Sequence, residues 1–114
     1  MSKFASLMRR ADTLRRVEPF PIRAEWWAGY MRGLRRAHYG ERFGTEAEHA
    51  MWLSAAESTD PMRAALGRGY RAGLTLEARD PSADTLARCE RCERYVVPRT
   101  EGADNLCPYC ALVL

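Results

Sequence analysis

The sequence predicts a mainly α-helical protein: a small helical bundle containing a duplicated helical unit, followed by a short C-terminal module organised by cysteines. Three observations carry this expectation. Apolar residues recur at helical spacing through most of residues 3–77. The stretch 21–34 returns, altered, at 61–74. All four cysteines fall between positions 89 and 110. A chain of 114 residues has room for one compact domain plus a small appendage. The division falls near residue 80, with a helical domain at 1–80 and the module at 81–114.

The first helix is expected at 3–17. Phe4, Leu7, Met8, Ala11 and Leu14 form one apolar stripe, Ser2 is the N-cap, and Arg9, Asp12 and Arg16 lie opposite. Pro19-Phe20-Pro21 stops it. The second helix is expected at about 22–39, with Trp27, Tyr30, Met31, Leu34 and His38 on its buried side and Gly40 closing it. Thr45 and Glu48 have capping-box spacing and start a third helix over about 46–57. Its face is read as Ala47, Ala50, Met51 and Ser54, flanked by Trp52 and Leu53. Asp60-Pro61 starts the fourth, which runs to about Glu77 with Met62, Ala65, Leu66, Gly69, Tyr70 and Gly73 as its apolar face and Arg68 and Arg71 pointing away. Asp80-Pro81 repeats the start signal for a short helix leading to the cysteines.

The repeat pairs PIRAEWWAGYMRGL at 21–34 with PMRAALGRGYRAGL at 61–74, with 7 identities in 14 positions at an offset of 40. Both copies place glycines four apart, at Gly29/Gly33 and Gly69/Gly73. Glycine inside a helix costs about 1 kcal/mol relative to alanine, so something must offset the loss. Close approach of two helix backbones does so, because no Cβ holds them apart. The second and fourth helices are therefore expected to cross closely, with Tyr30 and Tyr70 in matching positions. The alternative is that the GYxxGL repeats line a ligand groove. The segment LGRGYRAG resembles the LGxxYxxG turn of Sel1-like helical repeats, and GYRAG is similar to a motif of ribosome modulation factor. Both resemblances span fewer than ten residues and carry no site residues.

Charge is unevenly distributed. Residues 1–44 hold ten basic side chains against four acidic ones, whereas residues 45–78 and 79–114 are slightly acidic. Arg32, Arg35, Arg36 and Tyr39 lie on one side of the second helix, with Arg42 just beyond. Arg9 and Arg16 extend this patch if the first two helices are neighbours. Arginine pairs bidentately with phosphate, and a tyrosine among arginines can stack on a base. A solvated helix face is the plainer account, but such faces usually mix signs, and this one has no acid between Glu25 and Glu41. An acidic protein surface would satisfy the same arginines.

Cys89-Glu90-Arg91-Cys92 and Cys107-Pro108-Tyr109-Cys110 are two CxxC pairs separated by 14 residues. That spacing suits tetrahedral coordination by four thiolates. Between them Tyr95-Val96-Val97 is a strand candidate and Glu101-Gly102-Ala103-Asp104-Asn105 a turn. The segment 89–114 resembles zinc-ribbon domains through CERC, the YVV strand, the glycine-containing turn and CPYC. The resemblance implies one structural Zn²⁺ held by Cys89, Cys92, Cys107 and Cys110. Iron of the rubredoxin type uses the same ligands. Two disulfides or a redox CxxC are the remaining alternatives; a redox site needs only one such pair, and disulfide scaffolds scatter their cysteines.

No catalytic constellation emerges. His38 is expected as a packed core histidine, and His49 could partner Glu41 or Glu46. There is no GxSxG, P-loop or GxGxxG, and four protein ligands leave a zinc ion no open position. The chain is expected to be non-enzymatic, with no small-molecule substrate. Charges throughout MSKFASLMRRADTLRRVE interrupt any signal-peptide core, and no apolar run spans a bilayer, so a cytoplasmic location without membrane contact is expected. The expected function is zinc-containing binding of nucleic acid or a nucleoprotein complex through the basic helix face. The alternative is a protein-interaction module, for example a small mobile-element accessory or inhibitor such as an anti-CRISPR.

Overall fold

The computed structural model describes residues 2–81 and, beyond them, the backbone of two short strands. The described part is mainly helical, with α1 at Lys3–Val17, α2 at Pro21–Tyr39, a 3-10 turn at Gly40–Arg42, α3 at Glu46–Ala55 and α4 at Pro61–Gly73. The strands are β1 (Ala87–Arg88) and β2 (Tyr95–Val96), antiparallel, with Ala87 opposite Val96 and Arg88 opposite Tyr95. The short helix expected after Asp80-Pro81 and all four cysteines lie outside the described residues.

Local chemistry sets each helix start. The Ser2 hydroxyl accepts the Ala5 N–H at 3.1 Å, and Thr45 accepts the Glu48 N–H at 3.2 Å while donating to the Glu48 carboxylate. Asp60 accepts the Met62 N–H at 3.1 Å. These caps satisfy amides that have no partner within their own helix. Pro21 and Pro61 open α2 and α4, where their missing N–H costs nothing. Gly40, at φ 65°, ends α2 in a conformation that few other residues adopt freely.

Two helix ends differ from the sequence expectation. α3 stops at Ala55 because the chain tightens into i→i+3 turns, with the N–H groups of Ala56, Glu57 and Ser58 donating to Leu53, Ser54 and Ala55. α4 stops at Gly73 rather than near Glu77. The Thr75 hydroxyl donates to the Ala72 carbonyl at 2.7 Å, and Leu76 takes a positive φ of 54°, which an α-helix cannot continue through.

The four helices form two antiparallel hairpins, α1–α2 and α3–α4. Phe4 near the start of α1 stacks on His38 near the end of α2, and His49 early in α3 reaches Tyr70 late in α4. Glu18 ties the first turn by an ion pair to Arg23 at 3.1 Å. The hairpins join through α2 and α4, which run parallel: Gly29 meets Leu66 and Tyr70, and Gly33 meets Tyr70 and Gly73. A Cβ at Gly29 would overlap the Leu66 carbonyl oxygen; at Gly33, that of Tyr70; at Gly69, that of Trp26; at Gly73, that of Tyr30. These contacts interchange when 40 is added to or taken from each number, so an approximate two-fold axis runs between the helices. The glycine hydrogen that replaces each Cβ points along the same vector at a carbonyl, as in a Cα–H···O contact. Four such contacts, at about 0.5–1 kcal/mol each, offset most of the helical cost of the glycines.

A fifth glycine makes a similar approach elsewhere. A Cβ at Gly67 would overlap the Ala56 amide nitrogen, so α4 also lies backbone-close to the end of α3. The core lies around α2, where Trp26, Tyr30 and Leu34 are fully buried and Trp27 nearly so. Trp26 stacks on Tyr30 at 5.3 Å, and Trp27 meets both edge-on at 5.0 and 5.6 Å. Leu7 and Ala11 of α1 and Ala65 and Ala72 of α4 complete it.

Several predicted faces are corrected. Trp26 joins the core although the sequence stripe omits it, because α2 is covered on one side by α1 and on another by α4. α3 does not pack through Ala47, Ala50, Met51 and Ser54, which are all exposed; it packs through His49, Trp52, Leu53 and Ala55. Met62 is also exposed, since α4 begins beyond the edge of the core.

Candidate nucleic-acid interface

Helix α2 projects arginines on the side away from its tryptophans, and the structure divides them into two groups. Arg32 lies over the Trp52 ring at 4.6 Å and the Phe43 ring at 5.6 Å. Arg36 pairs with Glu46 at 2.7 Å, its side chain only 12% exposed, and its Nε is buried without an acceptor among the described residues. These two guanidinium groups join α2 to α3. Glu46 at the start of α3 meets Arg36, and Trp52 further along it meets Arg32.

Arg35, Tyr39 and Arg42 form the second group. Tyr39 is 50% exposed, Arg42 is exposed and Arg35 half-buried, and neither arginine makes an ion pair among the described residues. α1 and α2 are neighbours, so α1 adds to this surface. Arg9 is exposed beside an open groove lined by Ser6, Arg10, Thr13 and Leu14. Arg16 instead pairs with Asp12 at 3.0 Å, and Arg10 turns inward over Trp27 and donates to the Arg79 carbonyl at 2.9 Å. Lys3 and Arg15 are further exposed cations without an ion pair among the described residues. The cations of this region without an ion pair among the described residues are thus Lys3, Arg9, Arg15, Arg35 and Arg42, with Tyr39 between Arg35 and Arg42 in sequence.

His38 is corrected. It lies on the surface, and its ring is parallel to Phe4 within 3° at 4.0 Å. Tyr39 stands edge-on to both rings. The sequence reading placed His38 in the core because it extends the stripe of Tyr30, Met31 and Leu34. By that point, however, α2 has run past the bulk of α4 and only the first turn of α1 remains beside it. His38 therefore belongs to the surface, stacked on Phe4, which packs against the core as its place in the α1 stripe requires; the position of His38 at the meeting ends of two antiparallel helices was the available signal.

His49 partners neither Glu41 nor Glu46. Its Nδ1 lies 2.7 Å from the Tyr70 hydroxyl. Burial pushes the Tyr70 phenol above its ordinary range, partly opposed by the charges of Arg36 and Arg32. Burial likewise raises Tyr30, against the charge of Arg10, and the Tyr30 hydroxyl donates to the Glu77 carbonyl at 2.5 Å. Each repeat tyrosine thus reaches the segment that follows the other repeat helix.

Among the described residues, no group of three or more His, Cys, Asp and Glu side chains is placed to hold a metal ion. Cys89, Cys92, Cys107 and Cys110 lie outside that range. No helix among the described residues is long and apolar enough to cross a membrane. Comparison with known protein families, curated proteins and solved structures found no match.

Proposed function

We propose that this is a non-enzymatic binding protein that contacts nucleic acid, free or within a nucleoprotein complex, through the outer face of the α1–α2 hairpin. One observation carries the reading: Lys3, Arg9, Arg15, Arg35 and Arg42 make no ion pair among the described residues, and Arg35 and Arg42 lie close in sequence to the exposed Tyr39. Arginines kept only to brace the fold would be engaged like Arg32 and Arg36. A polyanion supplies phosphates to the others and releases condensed counterions as it binds. The two hairpins, related by the 40-residue offset, are best read as a duplicated helical unit that supplies a rigid support.

In the same proposal, residues 89–114 form a zinc ribbon. Its donor set suits Zn²⁺, since Cys89, Cys92, Cys107 and Cys110 are four thiolates in two CxxC pairs. The β1–β2 ladder falls on either side of the first pair in the sequence, the order that a knuckle between two strands requires. The ion would be structural, and the purified protein is expected to carry one equivalent of zinc. Iron, or less than half an equivalent of zinc, would overturn that part.

The interface is tested by titrating DNA and RNA at several salt concentrations. Affinity is expected to fall steeply with salt, and joint replacement of Arg9, Arg35 and Arg42 by Ala to flatten the slope by roughly two to three units. Absence of binding to either polymer at low salt would sink the reading. A protein partner is then the second reading, favoured by Val17 (70% exposed) and Phe20 (42% exposed) at the α1–α2 turn. A mobile-element accessory or inhibitor protein, such as an anti-CRISPR, belongs to that class.

A further inference from the structure

Two aromatic clusters among the described residues stand in opposite surroundings. Trp26, Trp27 and Tyr30 are sealed in the core, at 0–2% exposure. Phe4, His38 and Tyr39 gather at the meeting ends of α1 and α2, with Phe4 partly buried, His38 exposed and Tyr39 half exposed. The second cluster is nonetheless ordered. Phe4 backs the His38 ring face to face, and Tyr39 stands perpendicular to both at 5.5 and 4.7 Å.

Such a cluster is a stacking surface whose inner side is already filled by protein. Phe4 covers one face of the imidazole, which leaves the other for a flat ring arriving from solvent. A base within a duplex is stacked on both faces and cannot offer one, whereas an unpaired base can. The surrounding charge favours the same ligand. Arg35 lies one turn before Tyr39, Arg42 three residues after it, and Lys3 next to Phe4; none of the three has an ion pair among the described residues. The acid in this stretch is Glu41, exposed beside Arg42.

We propose that this end of the α1–α2 hairpin binds single-stranded nucleic acid in preference to duplex, with an unpaired base stacked on the open face of His38 and edge-on to Tyr39, and the flanking phosphates held by Arg35 and Arg42. The proposal rests on the nucleic-acid reading above and specifies the strand form. Stacking tolerates any base, because every base presents a π face, so strand state and not sequence is what this surface selects.

The test uses the full chain and three labelled probes of about twelve nucleotides, a length that covers a typical single-strand site: oligouridylate, the same backbone with abasic positions, and a duplex. Anisotropy titrations at one low ionic strength are expected to rank oligouridylate roughly tenfold or more above the duplex and the abasic strand. The double variant His38→Ala/Tyr39→Ala is expected to lose roughly tenfold in affinity for oligouridylate while keeping its salt slope, because no charge contacting phosphate has been removed. Tyr39→Phe keeps the ring and is expected to bind as the parent does. Duplex and abasic probes binding as tightly as oligouridylate would overturn the stacking proposal and leave the nucleic-acid reading intact. Failure of all three probes at low salt would remove both. The ranking of probes on the unaltered protein decides the matter even if the double variant does not fold.

Discussion

At Gly33 the α2 backbone lies against the Tyr70 carbonyl and the Gly73 Cα, so even the smallest side chain has no space. Gly33→Ala is expected to destabilise the fold by about 3 kcal/mol or more, well above a typical point substitution, because two helix backbones must move apart. Gly44 is the contrast: its nearest neighbour to a built Cβ is a flexible Arg36 carbon at 3.8 Å. Gly44→Ala is expected to be neutral, or to stabilise by up to about 1 kcal/mol by restricting the unfolded chain. Chemical denaturation of the two variants checks both. The glycine stripes were legible because four residues on a helix return to one face. Gly67 was not, since its partner is the end of α3, whose packing face the sequence pattern misassigned. Nor was the inward turn of Arg32 and Arg36. Spacing puts Arg32, Arg35 and Arg36 on one side of α2, but which of them meet Trp52 and Glu46 depends on where α3 is laid.

Among the elements, α1, α2 and α4 follow their sequence signals more closely than α3 does. α3 has 10 residues and apolar side chains around most of its circumference, so periodicity does not choose a face. Contacts with α4 choose it: His49 to the Tyr70 hydroxyl, Trp52 beside the Tyr70 ring at 6.3 Å, and Ala55–Ala56 against Gly67. The His49–Tyr70 bond couples α3 to α4 directly. Tyr70→Phe is expected to cost about 1 kcal/mol, the net worth of one such bond plus the exposed need of the imidazole. Hydrogen exchange should show faster opening of α3 in that variant while the α1–α2 hairpin is unaffected. α2 shows the limit of single-stripe reasoning from the other direction. It is buried by two partners, so Trp26 and Trp27, adjacent in sequence, are both core residues.

For the whole molecule, the segment after α4 works as a strap. Tyr30 holds the Glu77 carbonyl, Arg10 holds the Arg79 carbonyl, and Pro81 is fully buried. The strap fastens α1 and α2 to the end of α4 before the cysteines begin, and the core it closes over is built from α1, α2 and α4. Treatment with a strong chelator is therefore expected to leave the far-UV helical signal and its melting transition in place; loss of both would show that the bundle depends on metal. Tyr30 and Tyr70 add an alkaline limit. Burial holds both phenols above the ordinary value of 10.0, so below about pH 10 folded and unfolded chains alike keep the proton. Above it the unfolded chain ionises first, and stability falls as pH rises toward the folded pKa values. Tyr30→Phe and Tyr70→Phe should each reduce the steepness of that fall in denaturation midpoints measured above pH 10.

The backbone contacts between α2 and α4 also constrain how this sequence can change over generations. A side chain that obstructs another side chain can be accommodated by trimming its neighbour. A Cβ at Gly29, Gly33, Gly69 or Gly73 meets a peptide carbonyl, which no substitution elsewhere can shorten. Those four positions therefore have no route to compensation, whereas their neighbours do. At the same offset of 40, Trp26 and Trp27 differ from Leu66 and Gly67, while the glycines match.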